Sequence, residues 1–305
     1  MTEDSFFQWL FQRLPAAGKD VVIPPGDDCA AIRWHDDKLL LVAVDQVVGG
    51  RHYVDQGPDA TPPALAGRKL LARNVSDVAA MGGTPLFCLL AGAFHQGCPE
   101  AWLKEFYGGI VDAAHDFQLQ MIGGDLASTS LDDVASLTIL GEVPANEVIT
   151  RGGAHAGDAL FATGTFGNSF ASGHHLHFSP RCAEGRWLAQ QGLAKAMMDV
   201  SDGLLLDLSR ICNMSHCGAC IDLTAVPRRS AATSIAQACS EGEDFELIFA
   251  VAPDKIAVLQ QRWPFANTPL TRLGTFDNSG LLRDQQGNTL AARGWDHLSP
   301  PPAGE

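Results

Sequence analysis

Leu39-Leu40-Leu41-Val42-Ala43-Val44-Asp45 is an unbroken apolar run that ends on a carboxylate. Runs of this size, rich in Leu and Val, read as buried strands. The same cadence returns at Met121-Ile122-Gly123-Gly124-Asp125 and at Met197-Met198-Asp199. Around these lie Asp27 and Asp28 in Pro25-Gly26-Asp27-Asp28-Cys29, Asp77 in Asn74-Val75-Ser76-Asp77, and Asp202 in Asp199-Val200-Ser201-Asp202-Gly203. Carboxylates at strand ends, beside glycines, belong at the rim of a sheet, where α/β proteins place ligands. Each Asp taken alone also reads as a turn or helix cap. Gathered together, they would raise one another's pKa unless cations joined them. Hard oxygen donors favour Mg²⁺, which commonly arrives with phosphates.

The chain has 305 residues, enough for two domains or one large one. Its 46% hydrophobic and 18% charged content is that of a globular protein with a substantial core. A net charge of −14 argues against a nucleic-acid partner, which calls for a basic face, and suits a site that takes up cations. No apolar run reaches membrane-spanning length, and Met1-Thr2-Glu3-Asp4 lacks a basic leader, so the expectation is a cytoplasmic protein without a membrane partner.

Ser5 is placed to cap a first helix through Phe6, Phe7, Trp9, Leu10 and Leu14. Residues 65–81 repeat apolar positions near helical spacing and stop at Gly82-Gly83. Lys69, Asn74 and Asp77 share that helix. Another helix is expected from Pro99 to about Phe117, and strands near 119–122 and 136–143. Pro144 to Gly157 reads as a boundary, dividing the chain into 1–146 and 147–305. The second half restarts with a strand at 159–163, a helix over 204–212 and a strand over 245–251. The order in each half predicts α+β rather than a βαβ alternation. The Pro-rich tail from Ser299 is expected to fray.

Cys212, Cys217 and Cys220 cluster, with His216 beside them, but lack the two separated ligand pairs of a structural zinc site. Reduced, buried thiols are the expected state for the eight cysteines. His174, His175 and His177 read as a surface loop. No P-loop, dinucleotide-binding glycine motif, HExxH or protein-kinase motif is present, so Mg²⁺ held by carboxylates would have to carry much of any phosphate recognition.

Six segments occur in a fixed order: Gly26-Asp27-Asp28-Cys29-Ala30, Lys69 through Gly82, Ile122 to Asp125, Thr150-Arg151-Gly152-Gly153-Ala154, Asp199 to Leu204, and Gly242-Glu243-Asp244-Phe245-Glu246-Leu247. With His52 and Gly294-Trp295-Asp296-His297, they resemble the thiamine-monophosphate kinases, in the superfamily of aminoimidazole ribonucleotide synthetase and selenide, water dikinase. The resemblance implies a two-domain α+β fold like that synthetase, with N-terminal sheets pairing into a barrel across the axis of a homodimer. It implies ATP as co-substrate, Mg²⁺ as cofactor and thiamine monophosphate as acceptor. By the resemblance, Asp27, Asp28, Asp45, Asp77, Asp125, Asp199 and Asp202 hold Mg²⁺. Gly124, Asp125, Arg151 and Ser201 bind nucleotide, with Lys69 and Asn74 placed beside them. His52, Glu243 and Trp295 bind substrate. No residue acts as nucleophile or base, and Asp45, Asp125 and Arg151 serve charge stabilisation. Another acceptor within the superfamily, or a catalytically silent dimer that binds thiamine phosphates or nucleotide, are the alternatives.

Two departures stand out. Ala43-Val44 replaces the Ser-Thr usual before the Asp, and the stretch between Gly173 and Pro180 is short, so a helix over the second half is expected to be missing or truncated.

Overall fold

The apolar run that opens at Leu39 becomes the longest-paired strand of the N-terminal sheet because Leu39 and Leu41 bury one face completely. The computed structural model describes residues 1–230 and 233–298, so the tail from Ser299 lies outside the described residues. In chain order the first half runs α1 (Glu3–Phe11), β1 (Val21–Ile23), β2 (Ala30–Arg33), β3 (Lys38–Val48), α2 (Pro63–Ala80), β4 (Thr84–His95), α3 (Glu100–Asp116), β5 (Gln120–Thr129) and β6 (Val134–Pro144). Its six-stranded sheet has the order β1-β2-β3-β6-β4-β5, with α2 and α3 packed on one face around Leu70, Leu71, Phe106 and Ile110.

The second half runs β7 (Ala159–Thr163), α4 (His174–His177), α5 (Cys182–Gln190), β8 (Ala196–Asp199), α6 (Leu204–Met214), β9 (Gly218–Ile221), α7 (Ile235–Ser240), β10 (Leu247–Val251), α8 (Ile256–Arg262), β11 (Leu270–Asp277) and β12 (Leu282–Asp284). Its sheet has the order β12-β9-β11-β7-β10-β8. Strands β7, β8 and β10 are buried on both faces, which is why they read as continuous apolar runs rather than as alternations.

Four expectations change. Thr2 rather than Ser5 caps α1, and its hydroxyl accepts from the Ser5 N–H at 3.2 Å inside the first turn. Asp45 and Asp125 lie inside β3 and β5, not at strand ends, and of the three apolar runs only Asp199 closes its strand. Strand β10 starts at Leu247 rather than Phe245, because Glu243 (φ 64°) and Phe245 (φ 51°) hold left-handed backbone. Such residues cost about 1–3 kcal/mol each and persist only where the surroundings fix them. Here the Glu243 and Phe245 N–H groups donate to the carbonyls of Ser201 and Val200, at 2.6 and 2.8 Å. Finally, the triple-histidine stretch is no surface loop. It forms the single-turn α4, and His175 is buried against Phe170, ring centroids 4.2 Å apart. An apolar wall supplied by Phe170 and Phe178 draws this polar segment inward.

The departure at Ala43-Val44 sits where the sheet opens. β2 pairs with β3 only over Leu39–Val42, so beyond Val42 one edge of β3 is free. Ala43 packs against the core, whereas Val44 is 67% exposed.

Candidate active site

Helix α2 is the spine of the cleft. Lys69, Arg73 and Asp77 follow at intervals of four residues and therefore share one face of the helix. That face looks past β3 toward the segments 199–203 and 242–246 of the second half.

At the far end of this face, Asp77 meets Asp28, from the turn before β2, and Asp199, the last residue of β8. One carboxylate oxygen from each lies within 4.8 Å of the others. Burial, and then the neighbouring carboxylates, push Asp77 and Asp199 well above the usual carboxylate range. Burial and the charge of Asp28 raise Asp27 to about 6. Compensation is incomplete. Ser76 Oγ donates to Asp199 at 2.5 Å, and Arg151 Nη2 to Asp28 Oδ1 at 2.7 Å. Asp28 Oδ2 is buried without a partner among the described residues. Three converging carboxylates with an unpaired buried oxygen are a donor set suited to a hard divalent cation, so these residues fit Mg²⁺.

At the near end the charges are matched instead. Lys69 is completely buried, and its ammonium donates to the His52 carbonyl at 2.5 Å and to Glu243 Oε2 at 2.5 Å, with His175 Nδ1 at 2.9 Å. Burial lowers Lys69 to about 8. Burial would raise Glu243, but the hydrogen bond from His175 and the charge of Lys69 outweigh it and hold it at about 2. Burial and the cation of Arg73 lower His52 to about 3, which keeps its imidazole neutral.

Between the two ends lies a cavity of about 450 Å³. Its walls include Asp28, Asp45, His52, Arg73, Asp77 and Asp202, with Ser201 and Arg51 also facing it. Asp45 accepts a hydrogen bond from Arg73 Nε. Asp202 accepts one from Arg210 Nη1 at 2.7 Å. His297 also faces the cavity, and its ring lies 5.2 Å from that of His52.

The other expected site residues stand apart. Trp295 is half exposed and sits behind His297, with Nε1 3.2 Å from His297 Nδ1. Arg151 is turned toward Asp28 and the Gly26 carbonyl, and its backbone N–H meets Asp27 at 3.1 Å. Asn74 is buried within α2, donating to the Leu70 carbonyl. Gly124 and Asp125 are farthest removed. The register Asp45–Leu137–Leu90–Gly124 runs straight across β3, β6, β4 and β5, three strand spacings or about 14 Å. In the next row Asp125 stands with Ala91, Ser136 and Gln46 on the open face of the sheet, opposite the face on which Asp45 meets Arg73.

Arg73 and Arg210 enter the site without having been singled out from sequence, His175 enters it although its stretch reads as a surface loop, and His297 enters it from the terminal motif beside Trp295. Arg73 carried a usable signal, since it falls midway between Lys69 and Asp77 on one helical face. Arg210 reaches the cleft through long-range packing and carried none.

Residues 26–143 match the family described as AIR synthase related protein, N-terminal domain, and residues 152–263 match its C-terminal domain. The thiamine-monophosphate kinase of Escherichia coli K12 is 34% identical over 98% of this chain and 99% of its own length. That of Rhodopirellula baltica is 36% identical over 89% and 88%. The crystal structure of thiamine-monophosphate kinase from Stenotrophomonas maltophilia K279a is 27% identical, with a TM-score of 0.74 over 94% of this chain and 96% of that one. AaThiL complexed with AMPPCP and TMP has the same fold, with a TM-score of 0.83 at 24% identity over 97% of each chain.

Proposed function

This chain belongs to the thiamine-monophosphate kinase family of AIR synthase related proteins, and from that premise we propose that it transfers the γ-phosphoryl group of ATP to thiamine monophosphate, giving thiamine diphosphate and ADP. The observation that carries the reading is the carboxylate trio Asp28, Asp77 and Asp199, incompletely neutralised, beside a cavity that also holds arginines. It is a place where two polyanions can meet once cations are present.

The acceptor is a phosphate monoester, largely dianionic near neutral pH with a second pKa of about 6, so it needs no general base. It needs its repulsion from the triphosphate screened and its oxygen set in line with the leaving group. Mg²⁺ held by Asp28, Asp77 and Asp199, with Asp27, Asp45 and Asp202 alongside, would supply charge neutralisation and orientation of phosphate oxygens. Arg73, fixed by Asp45, and Arg51 present fixed positive charge to the cavity. Neutral His52 forms the cavity wall, with the anionic Glu243 held behind it by Lys69, and a cationic thiazolium ring is drawn toward that side. Transfer is direct, without a phosphoenzyme.

The partner in this reading is a second copy of the chain. The open face of the N-terminal sheet exposes Val44 (67%), Ile122 (55%), Phe87 (37%) and Leu89 (37%). A second copy closing on that face would bury them in a barrel across a twofold axis. It would also give Gly124 and Asp125 a use, in the partner's cleft rather than their own. Among the described residues no helix is long and apolar enough to cross a membrane.

Phosphorus NMR of the protein with Mg-ATP and thiamine monophosphate tests the chemistry. The expected outcome is growth of diphosphate resonances from the thiamine product together with ADP. ATP hydrolysis to free phosphate, with the monophosphate unchanged, would overturn it.

A further inference from the structure

A second group of ligand-type side chains lies outside the cleft, where β4 ends. His95-Gln96-Gly97-Cys98 closes a tight turn, with the Cys98 N–H donating to the His95 carbonyl at 3.0 Å and Gly97 at φ 92°. Asp133, at the end of the β5–β6 return and directly before β6, reaches the same turn. One ligand atom each from His95, Cys98 and Asp133 lies within 4.8 Å of the others. The His95 ring nitrogen Nδ1 is 2.9 and 3.1 Å from the two Asp133 oxygens. In a tetrahedral site with metal–ligand bonds of about 2.0–2.3 Å, neighbouring ligand atoms stand about 3.3–3.6 Å apart. The nitrogen–oxygen pair stands slightly inside that spacing, and the sulfur lies within 4.8 Å of both.

The scaffold holds these atoms in place before any ion arrives. The His95 backbone N–H donates to Asp133 Oδ1 at 2.6 Å, which fixes the carboxylate with both oxygens beside the imidazole. The Gln96 N–H is tied to the Thr129 carbonyl and the Gly49 N–H to the Asp133 carbonyl, at 3.0 and 2.9 Å. Backbone donors that orient a ligating carboxylate are a recurring element of metal sites. Tyr53 is buried beside the group, within the electrostatic reach of Asp133, Asp55 and Cys98. His95 is half exposed, so solvent has access to the remaining coordination position.

We propose that His95, Cys98 and Asp133 form a binding site for a borderline-soft divalent transition metal, Zn²⁺ foremost, distinct from the carboxylate trio of the cleft. The donor set decides the class of ion. One imidazole, one thiolate and one carboxylate match the ligands of Zn²⁺, whereas Mg²⁺ takes oxygen and retains its waters. The ordinary alternative is a His95–Asp133 hydrogen bond with a thiol packed nearby by chance, and the two differ in whether sulfur binds the ion.

Cobalt makes that difference visible. The reduced full-length protein, with its cleft saturated by Mg²⁺, is titrated with Co²⁺. A thiolate-to-cobalt charge-transfer band in the near ultraviolet, with visible bands of tetrahedral strength, should saturate at one equivalent and vanish when Zn²⁺ is added. Cys98→Ser should abolish the charge-transfer band, and His95→Ala should weaken Co²⁺ affinity at least tenfold. Neither substitution touches the cleft, so kinase turnover in Mg²⁺ serves as the check that both variants are folded. Absence of the charge-transfer band in the parent protein, or its survival in Cys98→Ser, would overturn the proposal. The second result would assign the sulfur to one of the other cysteines.

Discussion

Asp199 and Asp125 follow matching stretches of sequence and end in opposite surroundings. Met197-Met198-Asp199 is buried on both faces and delivers its carboxylate to Asp28 and Asp77. Met121-Ile122-Gly123-Gly124-Asp125 becomes an edge strand whose carboxylate points away from that trio, across about three strand spacings of sheet. An apolar run followed by Asp announces a strand and a carboxylate. It does not announce a face, because faces follow register, and one residue of slip inverts them. The N-terminal sheet has such a slip, a bulge between Cys88 and Leu89 opposite Met121 and Gly123.

The largest effect expected from this contrast comes from mixing two inactive proteins. Asp77→Asn and Asp125→Asn should each lose phosphoryl transfer almost completely. If Asp125 serves the partner's cleft, a dimer made of one chain of each kind has one site with an intact trio and an intact Asp125. Co-refolding the two variants should then recover about a quarter of the parent turnover, given random pairing into half heterodimers with one good site each. No recovery, with heterodimers verified by mass, would return Asp125 to its own chain or remove it from the chemistry. Asp77→Asn alone should also raise the melting temperature of the Mg²⁺-free protein, because it relieves the repulsion that lifts Asp77 and Asp199.

A second contrast lies within the cleft, between the uncompensated trio and the matched group around Lys69. Lys69→Met leaves Glu243 buried against His175 without its ammonium partner. Breaking a buried pair on one side costs about 3–5 kcal/mol, measurable by denaturant unfolding. The KM for the acceptor should rise more than that for ATP. Acidity sharpens the test. Lys69 is held at about 8 by burial, below its ordinary 10.5, while Glu243 at about 2 stays ionised throughout. Between those two lysine values the unfolded chain holds more protons, so this group makes stability rise with pH there. The ammonium holding Glu243 is lost over the same rise. The acceptor KM should therefore climb from pH 7 to 9 in the parent and stay flat in Lys69→Met. Parallel profiles in both proteins would detach Lys69 from acceptor binding.

Much of this molecule is legible in its sequence, and the illegible parts share a cause. The doubly buried β7, β8 and β10, the long α2 and the family motifs announce themselves locally. β4 does not, because Pro85 and Gly92, residues that break strand patterns, interrupt its apolar run. His175 does not, because a polar single turn is drawn inward by aromatic neighbours that its own sequence cannot reveal. The Lys69–Glu243 pair spans 174 residues, and only the closed cleft brings its halves together. Carboxylate identity was readable throughout, whereas which carboxylates converge depends on register and inter-sheet packing.

Trp295 offers a smaller test of where the acceptor wall ends. It is half exposed behind His297, outside the cavity wall. Should the thiazolium or pyrimidine ring draw the indole in, Trp295→Ala would cost about 1–2 kcal/mol of stacking, or roughly fivefold to thirtyfold in acceptor Kd. ATP affinity should hold. Calorimetric titration of each ligand separates the cases, and equal losses for both would make Trp295 a support for His297 instead.

The smallest effect is expected at Ala43-Val44, where the two residues face different ways. Ala43 packs on the core, so a serine there would place a hydroxyl among apolar neighbours and lower stability by about 1 kcal/mol or more. Val44 is 67% exposed and lines the cavity along the free edge of β3. In the proposed dimer the open face of the sheet is covered, so a threonine there should weaken association more than the fold of one chain. Its hydroxyl stands on the open face, across the strand from the Asp45 carboxylate, and supplies no oxygen donor to the ion. Both single variants should therefore leave the Mg²⁺ dependence of the initial rate in place. A titration of rate against free Mg²⁺ for the parent and both variants decides the matter. A shift toward lower Mg²⁺ in Val44→Thr would put its side chain on the cleft side of β3 and overturn its assignment to the dimer face.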